Sequence, residues 1–168
     1  GWMHTTSDVD IIDEFEETIV RNKKGINYQY GKELRPLDSF EVVLKYKNAN
    51  NSGSKKFMAY RTHHGPVTHA SGNKWMSTAM MWDPVKALQQ SFLRTKNSNQ
   101  KEFNKMMNIR TNSSNNTVYA DADGNIAYYH GNFIPKRDPS FDYRKPLDGS
   151  NPKTDWKGLH DLKDNIFL

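Results

Sequence analysis

The stretch VYADADGNIAYYHG, residues 118–131, decides how this chain is read. Residues 118–120 and 126–129 are apolar and aromatic and read as two strands. Between them, Asp123-Gly124 is a favoured pair for a tight type I′ hairpin turn, which needs positive φ at both central residues. The same stretch spaces Asp121, Asp123 and Asn125 like the first three oxygen ligands of a calcium loop. That alternative fails at two later positions of its own pattern. An EF-hand loop needs Gly at its sixth place and a bidentate Glu at its twelfth, where this chain has Ile126 and Asn132. No amphipathic helix flanks the segment, so it is read as a hairpin.

Working outward, the segments before this hairpin are rich in strand signals. Residues 40–46 (FEVVLKY) and 56–62 (KFMAYRT) are β-prone runs joined by the turn-forming NANNSGS, residues 48–54, and predict a second hairpin. Tyr28-Gln29-Tyr30, Gly31-Lys32 and Leu34 suggest a third, leading to Pro36. Residues 75–82 suggest a further strand. Residues 9–20 are ambiguous: Val9 and Ile11 alternate as in a strand, while Ile12, Phe15 and Ile19 suit a helix.

Two helices are expected over residues 84–108. Asp83 with Pro84 gives an N-cap followed by Pro at the first helical position, and Val85, Leu88 and Phe92 then fall on one face. Ser98 is placed to cap the second helix, whose apolar stripe of Phe103, Met106 and Met107 reads as core. Residues 132–158 carry four prolines and little periodicity. The aromatics Phe133, Phe141, Tyr143 and Trp156 mark this region as a packed irregular loop. The fold class is therefore α+β, mainly β: antiparallel hairpins or a roll with two helices. The chain is read as one segment, β-rich over 1–82, helical over 83–110, then hairpin and irregular Pro-rich region over 111–168.

Composition narrows the function classes. The 168 residues include no cysteine, which excludes disulfides, thiolate zinc sites and cysteine catalysis. The formal charge of +5 and 12% aromatic content invite a polyanion-binding reading. However, the densest basic runs, residues 21–24 and 55–56, sit beside turns and read as solvated. Hydrophobic residues make up 35%, against roughly 45–50% in a typical domain. Together with the opening Gly1-Trp2 and the apolar close at residues 165–168, this leads to the expectation of a segment excised from a larger protein. No apolar run approaches the ~20 residues of a membrane span.

No complete catalytic constellation is present. The six histidines show no HExxH spacing, and His63-His64, adjacent on an expected strand, should point to opposite faces. A zinc site would need distant partners. Asp8-Val9-Asp10 places two carboxylates and a carbonyl together, a donor set suited to a hard cation but short of the 6–8 oxygens calcium takes. Two solvated carboxylates are the alternative.

Five blocks in succession resemble the β-subunit of penicillin acylase-type amidohydrolases, which are N-terminal nucleophile (Ntn) hydrolases: GWMHTTSDVD (1–10), YRTHHGPV (60–67), NTVYADADGNIAYYHG (116–131), FIPKRDPS (133–140) and TDWKGLH (154–160). The resemblance implies a fragment of an αββα architecture. It also implies a precursor that cleaves itself to expose a Ser, whose hydroxyl attacks an amide carbonyl while its α-amino group serves as base. By the same resemblance, the Thr6 backbone N–H donates to the oxyanion, a contribution worth roughly 3–4 kcal/mol of barrier in comparable sites. His4 and Ser91 match substrate-pocket positions. Asp8, the Val9 carbonyl, Asp10 and the Pro139 carbonyl match ligands of a structural Ca2+.

The family's nucleophilic Ser falls upstream of Gly1 and its oxyanion Asn downstream of Leu168, so this segment alone is expected to be inactive. The implied partners are an N-acyl small-molecule substrate (penicillin, cephalosporin or acyl-homoserine lactone), the α-subunit and the rest of the β-subunit, in a periplasmic or exported protein. The rival reading is a non-enzymatic β-rich binding module for a polyanion or glycan.

Overall fold

The computed structural model describes residues 1–49, 51–131 and 133–167. In chain order its elements are β1 (Trp2–Thr6), β2 (Asp13–Asn22), β3 (Gly25–Tyr30), β4 (Glu33–Pro36), β5 (Asp38–Lys47) and β6 (Ser52–Arg61). There follow β7 (Val67–Ser71), β8 (Lys74–Ala79), α1 (Pro84–Arg94), α2 (Gln100–Met107), β9 (Asn115–Ala120), β10 (Ile126–Tyr129), β11 (Leu147–Asp148) and β12 (Ile166–Phe167). They divide into two units, each assembled from separate pieces of sequence. The first takes Gly1–Ile11, Met81–Arg137 and Trp156–Leu168; the second takes Ile12–Met80 and Asp138–Asp155.

The first unit is a four-stranded antiparallel sheet in the order β1-β9-β10-β12, with α1 and α2. The β9–β10 hairpin forms as expected, with Ile126 opposite Ala120 and Tyr129 opposite Thr117. Its turn differs from the expected type I′. Among the described residues Arg110 is the sole non-glycine at positive φ, so Asp123 is not left-handed, and Gly124 alone of the pair is, at φ +82°. The loop is held instead by Asp121. Its Oδ1 accepts from Asp123 N (3.1 Å) and Asn125 N (3.0 Å), and its Oδ2 accepts from the Tyr119 hydroxyl (2.9 Å). The Asn125 amide bonds both oxygens, and this contact leads in holding the carboxyl below its ordinary pKa. Asn132 lies outside the described residues.

The helices start where polar side chains can meet orphan N–H groups. Asp83 Oδ1 accepts from Lys86 N (3.1 Å), as expected. The cap of α2 falls one residue later than expected, at Asn99 rather than Ser98. Asn99 Oδ1 accepts from Glu102 N (3.0 Å), while the Glu102 carboxylate reaches back to Ser98 N (2.9 Å). Phe103, Met106 and Met107 are buried against Tyr119, Ala127 and Tyr129, the core the sequence predicts. The α1 stripe behaves otherwise: Val85, Leu88 and Phe92 are 75%, 73% and 63% exposed, and the buried residue is Gln90. The other face of the sheet presents Met3, Val118, Ile126 and Phe167, all exposed.

In the second unit the sheet order is β4-β3-β2-β8-β7, with β11 parallel to β2, while β5 and β6 form a separate long ribbon. The ambiguous segment resolves as a strand starting at Asp13. Asp13, Phe15, Glu17 and Ile19 all face inward, a period of two disguised because half of its buried positions are acidic. The expected strand over 75–82 stops at Ala79.

Glu17 is fully buried at the centre of this unit. Its Oε1 accepts from Thr62 Oγ1 (2.8 Å), Ser77 Oγ (2.5 Å) and His64 Nδ1 (2.8 Å). Burial disfavours the charged carboxylate, but the hydrogen bond and charge of His64 with the two hydroxyls outweigh it and leave the pKa lowered. Gly149 makes room for this carboxylate: a Cβ there would fall 2.5 Å from Glu17 Oε2 and 3.1 Å from the Glu16 carbonyl oxygen.

Two substitutions test this centre. Glu17→Ala leaves three buried donors without their acceptor and should cost roughly 3–5 kcal/mol by chemical denaturation. Gly149→Ala should cost about 1–3 kcal/mol through overpacking alone.

Candidate active site at the edge of the first sheet

The register between β1 and β9 sets the chemistry of the first unit. Ala120 N donates to Gly1 O (2.9 Å) and Ser7 N to Ser114 O (3.0 Å), one at each end of β1. Antiparallel pairs alternate between bonded and non-bonded, so the odd residues of β1 face the β9 ladder. Thr6, paired with Asn115, belongs to the other set, and its N–H points to the edge of the sheet, away from β9. Asn116 Nδ2 donates to the Thr6 carbonyl (3.0 Å) and steadies this end of the strand.

His4 pairs with Thr117 in a non-bonded position, where side chains approach most closely. Its Nδ1 lies 3.0 Å from Thr117 Oγ1 and 3.2 Å from the Asn116 carbonyl. Assigning the Nδ1 proton to that carbonyl leaves Nε2 as an acceptor, and Nε2 has no hydrogen-bond partner among the described residues. Burial and then the Arg94 charge lower the His4 pKa, so the ring is held neutral. The Arg94 guanidinium lies over the Trp2 ring, 5.2 Å from its centroid, and burial lowers its own pKa.

Beside these residues a cleft of about 210 Å3 is lined by Ser91, Arg94, Gln90 and the turn at residues 111–114. The buried Gln90 carboxamide anchors that turn, its Oε1 accepting from Thr111 N (2.8 Å) and Oγ1 (2.5 Å). The chain enters the turn through Arg110, left-handed at φ +60°, whose guanidinium donates to the carbonyls of Leu159 (3.4 Å) and His160 (3.2 Å). Thr6, His4 and Ser91, singled out from sequence, thus all lie in this unit. Arg94 and Gln90 were missed, because a lone Arg or Gln on a helix carries no periodic signal. The cleft lining offers the Ser91 hydroxyl and the Arg94 guanidinium, while the Thr6 N–H faces the free edge of the sheet.

Asp8, Val9 and Asp10 follow β1 as irregular backbone, with Asp8 and Asp10 exposed. Asp10 Oδ2 lies 3.4 Å from Arg137 Nη2. Pro139 belongs to the second unit, in a turn. The expectation for His63-His64 is overturned. They lie in a bend after β6 rather than on a strand, with ring centroids 3.8 Å apart and both rings turned toward Asp155.

The lowered His4 pKa has a consequence for stability. Below the ordinary value of 6.5 the unfolded chain binds a proton there that the folded chain does not. Stability should therefore fall as pH drops through 6.5 toward the lower folded value. His4→Gln should flatten this part of the profile, as read by melting temperature against pH.

The fold and sequence have known counterparts. The chain is 29% identical over 163 residues to penicillin G acylase of Escherichia coli, an alignment covering 95% of this chain and 19% of that protein. Its fold matches the thermostable penicillin G acylase from Alcaligenes faecalis with a TM-score of 0.78 at 24% identity, covering 99% of this chain and 30% of that one. The chain thus spans under a third of the length of either relative. The family model described as penicillin amidase matches residues 1–166, and the chain belongs to that family.

Proposed function

We propose that these 168 residues are the part of an N-acyl amide hydrolase that carries one oxyanion donor and one wall of the acyl pocket. The observation that supports this reading most strongly is the Thr6 N–H directed to the free edge of β1, away from β9. In this reading a Ser outside these residues is the nucleophile, with its α-amino group as base. Thr6 N–H and an Asn, also outside them, stabilise the tetrahedral oxyanion. His4 and Ser91 belong to the wall of the acyl pocket in this reading.

The substrate is an N-acyl compound of the penicillin, cephalosporin or acyl-homoserine lactone type. The α-subunit and the remainder of the β-subunit are partners, and the protein acts in the periplasm or is exported. No helix of the described residues is long and apolar enough to cross a membrane. The exposed face carrying Met3, Val118 and Ile126 suits cover by the second sheet of an αββα arrangement.

A structural calcium belongs to the same reading. Asp8, the Val9 carbonyl and Asp10 are all oxygen donors, the chemistry calcium prefers. Asp10 would exchange its pairing with Arg137 for the ion.

Thr6 offers a sharp test. Its N–H makes no bond to β9, so proline is tolerated there as on other edge strands. In the full-length protein, Thr6→Ala should keep activity on a chromogenic N-acyl anilide, while Thr6→Pro should lower kcat roughly 10²–10³-fold. Equal activity in both variants would remove Thr6 from the oxyanion site. A full-length protein that neither cleaves itself nor hydrolyses any N-acyl amine would overturn the reading as a whole. Added calcium should also raise the melting temperature of the full-length protein, and Asp10→Ala should abolish that rise.

A further inference from the structure

We propose that His63, His64 and Asp155, in the second unit, bind a divalent transition metal of the zinc type. The three residues come from a bend after β6 and from a segment 91 residues further on. Their ligand atoms all lie within 4.8 Å of one another. His64 Nε2 is 3.0 Å from Asp155 Oδ1, and His63 Nε2 is 3.6 Å from Asp155 Oδ2. Modest adjustment places these atoms around one ion at the bond lengths of ~2.0–2.2 Å that zinc makes with imidazole and carboxylate.

The second observation lies behind the ligands. Each imidazole is held through its far nitrogen: His64 Nδ1 by Glu17 Oε1 at 2.8 Å, and His63 Nδ1 by the Tyr28 hydroxyl at 3.1 Å. Such outer partners orient the ring of a metal-bound histidine and raise its basicity. Asp155 is itself positioned by the Tyr30 hydroxyl, which donates to Oδ2 at 2.6 Å. Stacking fixes the rings further, with Phe15 on His64 at 3.8 Å and 4°.

The donor set selects the ion. Two imidazoles and one carboxylate suit zinc, cobalt or nickel, whereas calcium takes oxygen ligands. Three protein ligands leave a fourth position for water. The site is open on one side, since the His63 and Asp155 side chains are each 28% exposed while His64 is 5% exposed. On binding, the ion takes the place of the proton that His64 Nε2 shares with Asp155 Oδ1, and that proton passes to solvent.

The experiment is calorimetric titration of Zn2+ into chelator-stripped full-length protein, paired with Co2+ and its visible d–d absorption. One equivalent should bind, with a tetrahedral cobalt spectrum. His63→Ala and His63→Gln should each lose that equivalent. Tyr28→Phe, which removes only the outer hydroxyl, should weaken it roughly 10–100-fold. Circular dichroism of both His63 variants in chelator should show the parent's fold, which separates lost binding from lost folding even where the loss of the Tyr28 and Asp155 contacts lowers the melting temperature. Absence of zinc binding in the parent, or parental stoichiometry and affinity in both His63 variants, would overturn the proposal. Neither result bears on amide hydrolysis, which the Thr6 variants test separately.

Discussion

The alternation of bonded and non-bonded pairs along the β1–β9 ladder governs the first unit, because a strand's N–H groups and side chains have fixed directions once its register is set. Ser7 and Gly1 bond β9, so Thr6 turns its N–H to the sheet edge, and His4 meets Thr117 across a non-bonded pair. A slip of one residue would reverse both at once. It would turn the Thr6 N–H into the ladder and carry the His4 ring to the opposite face. Burial of Tyr119, Ala127 and Tyr129 against α2 fixes which way β9 faces, and the contacts of Asn116 with the Thr6 carbonyl and of His4 with Thr117 hold β1 in register against it.

The second unit depends on a charge rather than a register. A fully buried carboxylate is expensive unless it is paired and hydrogen-bonded. Glu17 meets that demand with one imidazole and two hydroxyls drawn from β8 and from the bend after β6. His64 in turn faces carboxylates at both nitrogens. Burial works against its charged form, but Asp155 and Glu17 outweigh it and raise its pKa. The same contacts that neutralise Glu17 turn His64 Nε2 toward Asp155. A device for satisfying a buried acid thereby aligns a set of metal donors.

Much of the fold was legible in the sequence wherever one signal sufficed. The 38–61 ribbon, the hairpin over 25–36 and the start of α1 followed from β-branched runs, Gly-containing turns and an Asp-Pro helix start. Errors arose where a local pattern competed with tertiary demands. The α1 stripe is real as periodicity, yet the buried face carries Gln90, because the turn at Thr111 needs its carboxamide. Residues 13–19 alternate in burial but not in polarity, which concealed a strand. In the candidate site Thr6, His4 and Ser91 were visible through family motifs, while Arg94 and Gln90 were not.

By itself, the sequence determined the main hairpins, both helices and the family, because these rest on short-range spacing and on ordered motifs. Tertiary structure alone decided which N–H of β1 faces outward, which face of α1 is buried, and that His63, His64 and Asp155 converge. The reason is common to all three. Direction in a strand depends on its partner, burial depends on what covers a face, and a cluster drawn from residues 91 apart exists only once the backbone has brought them together.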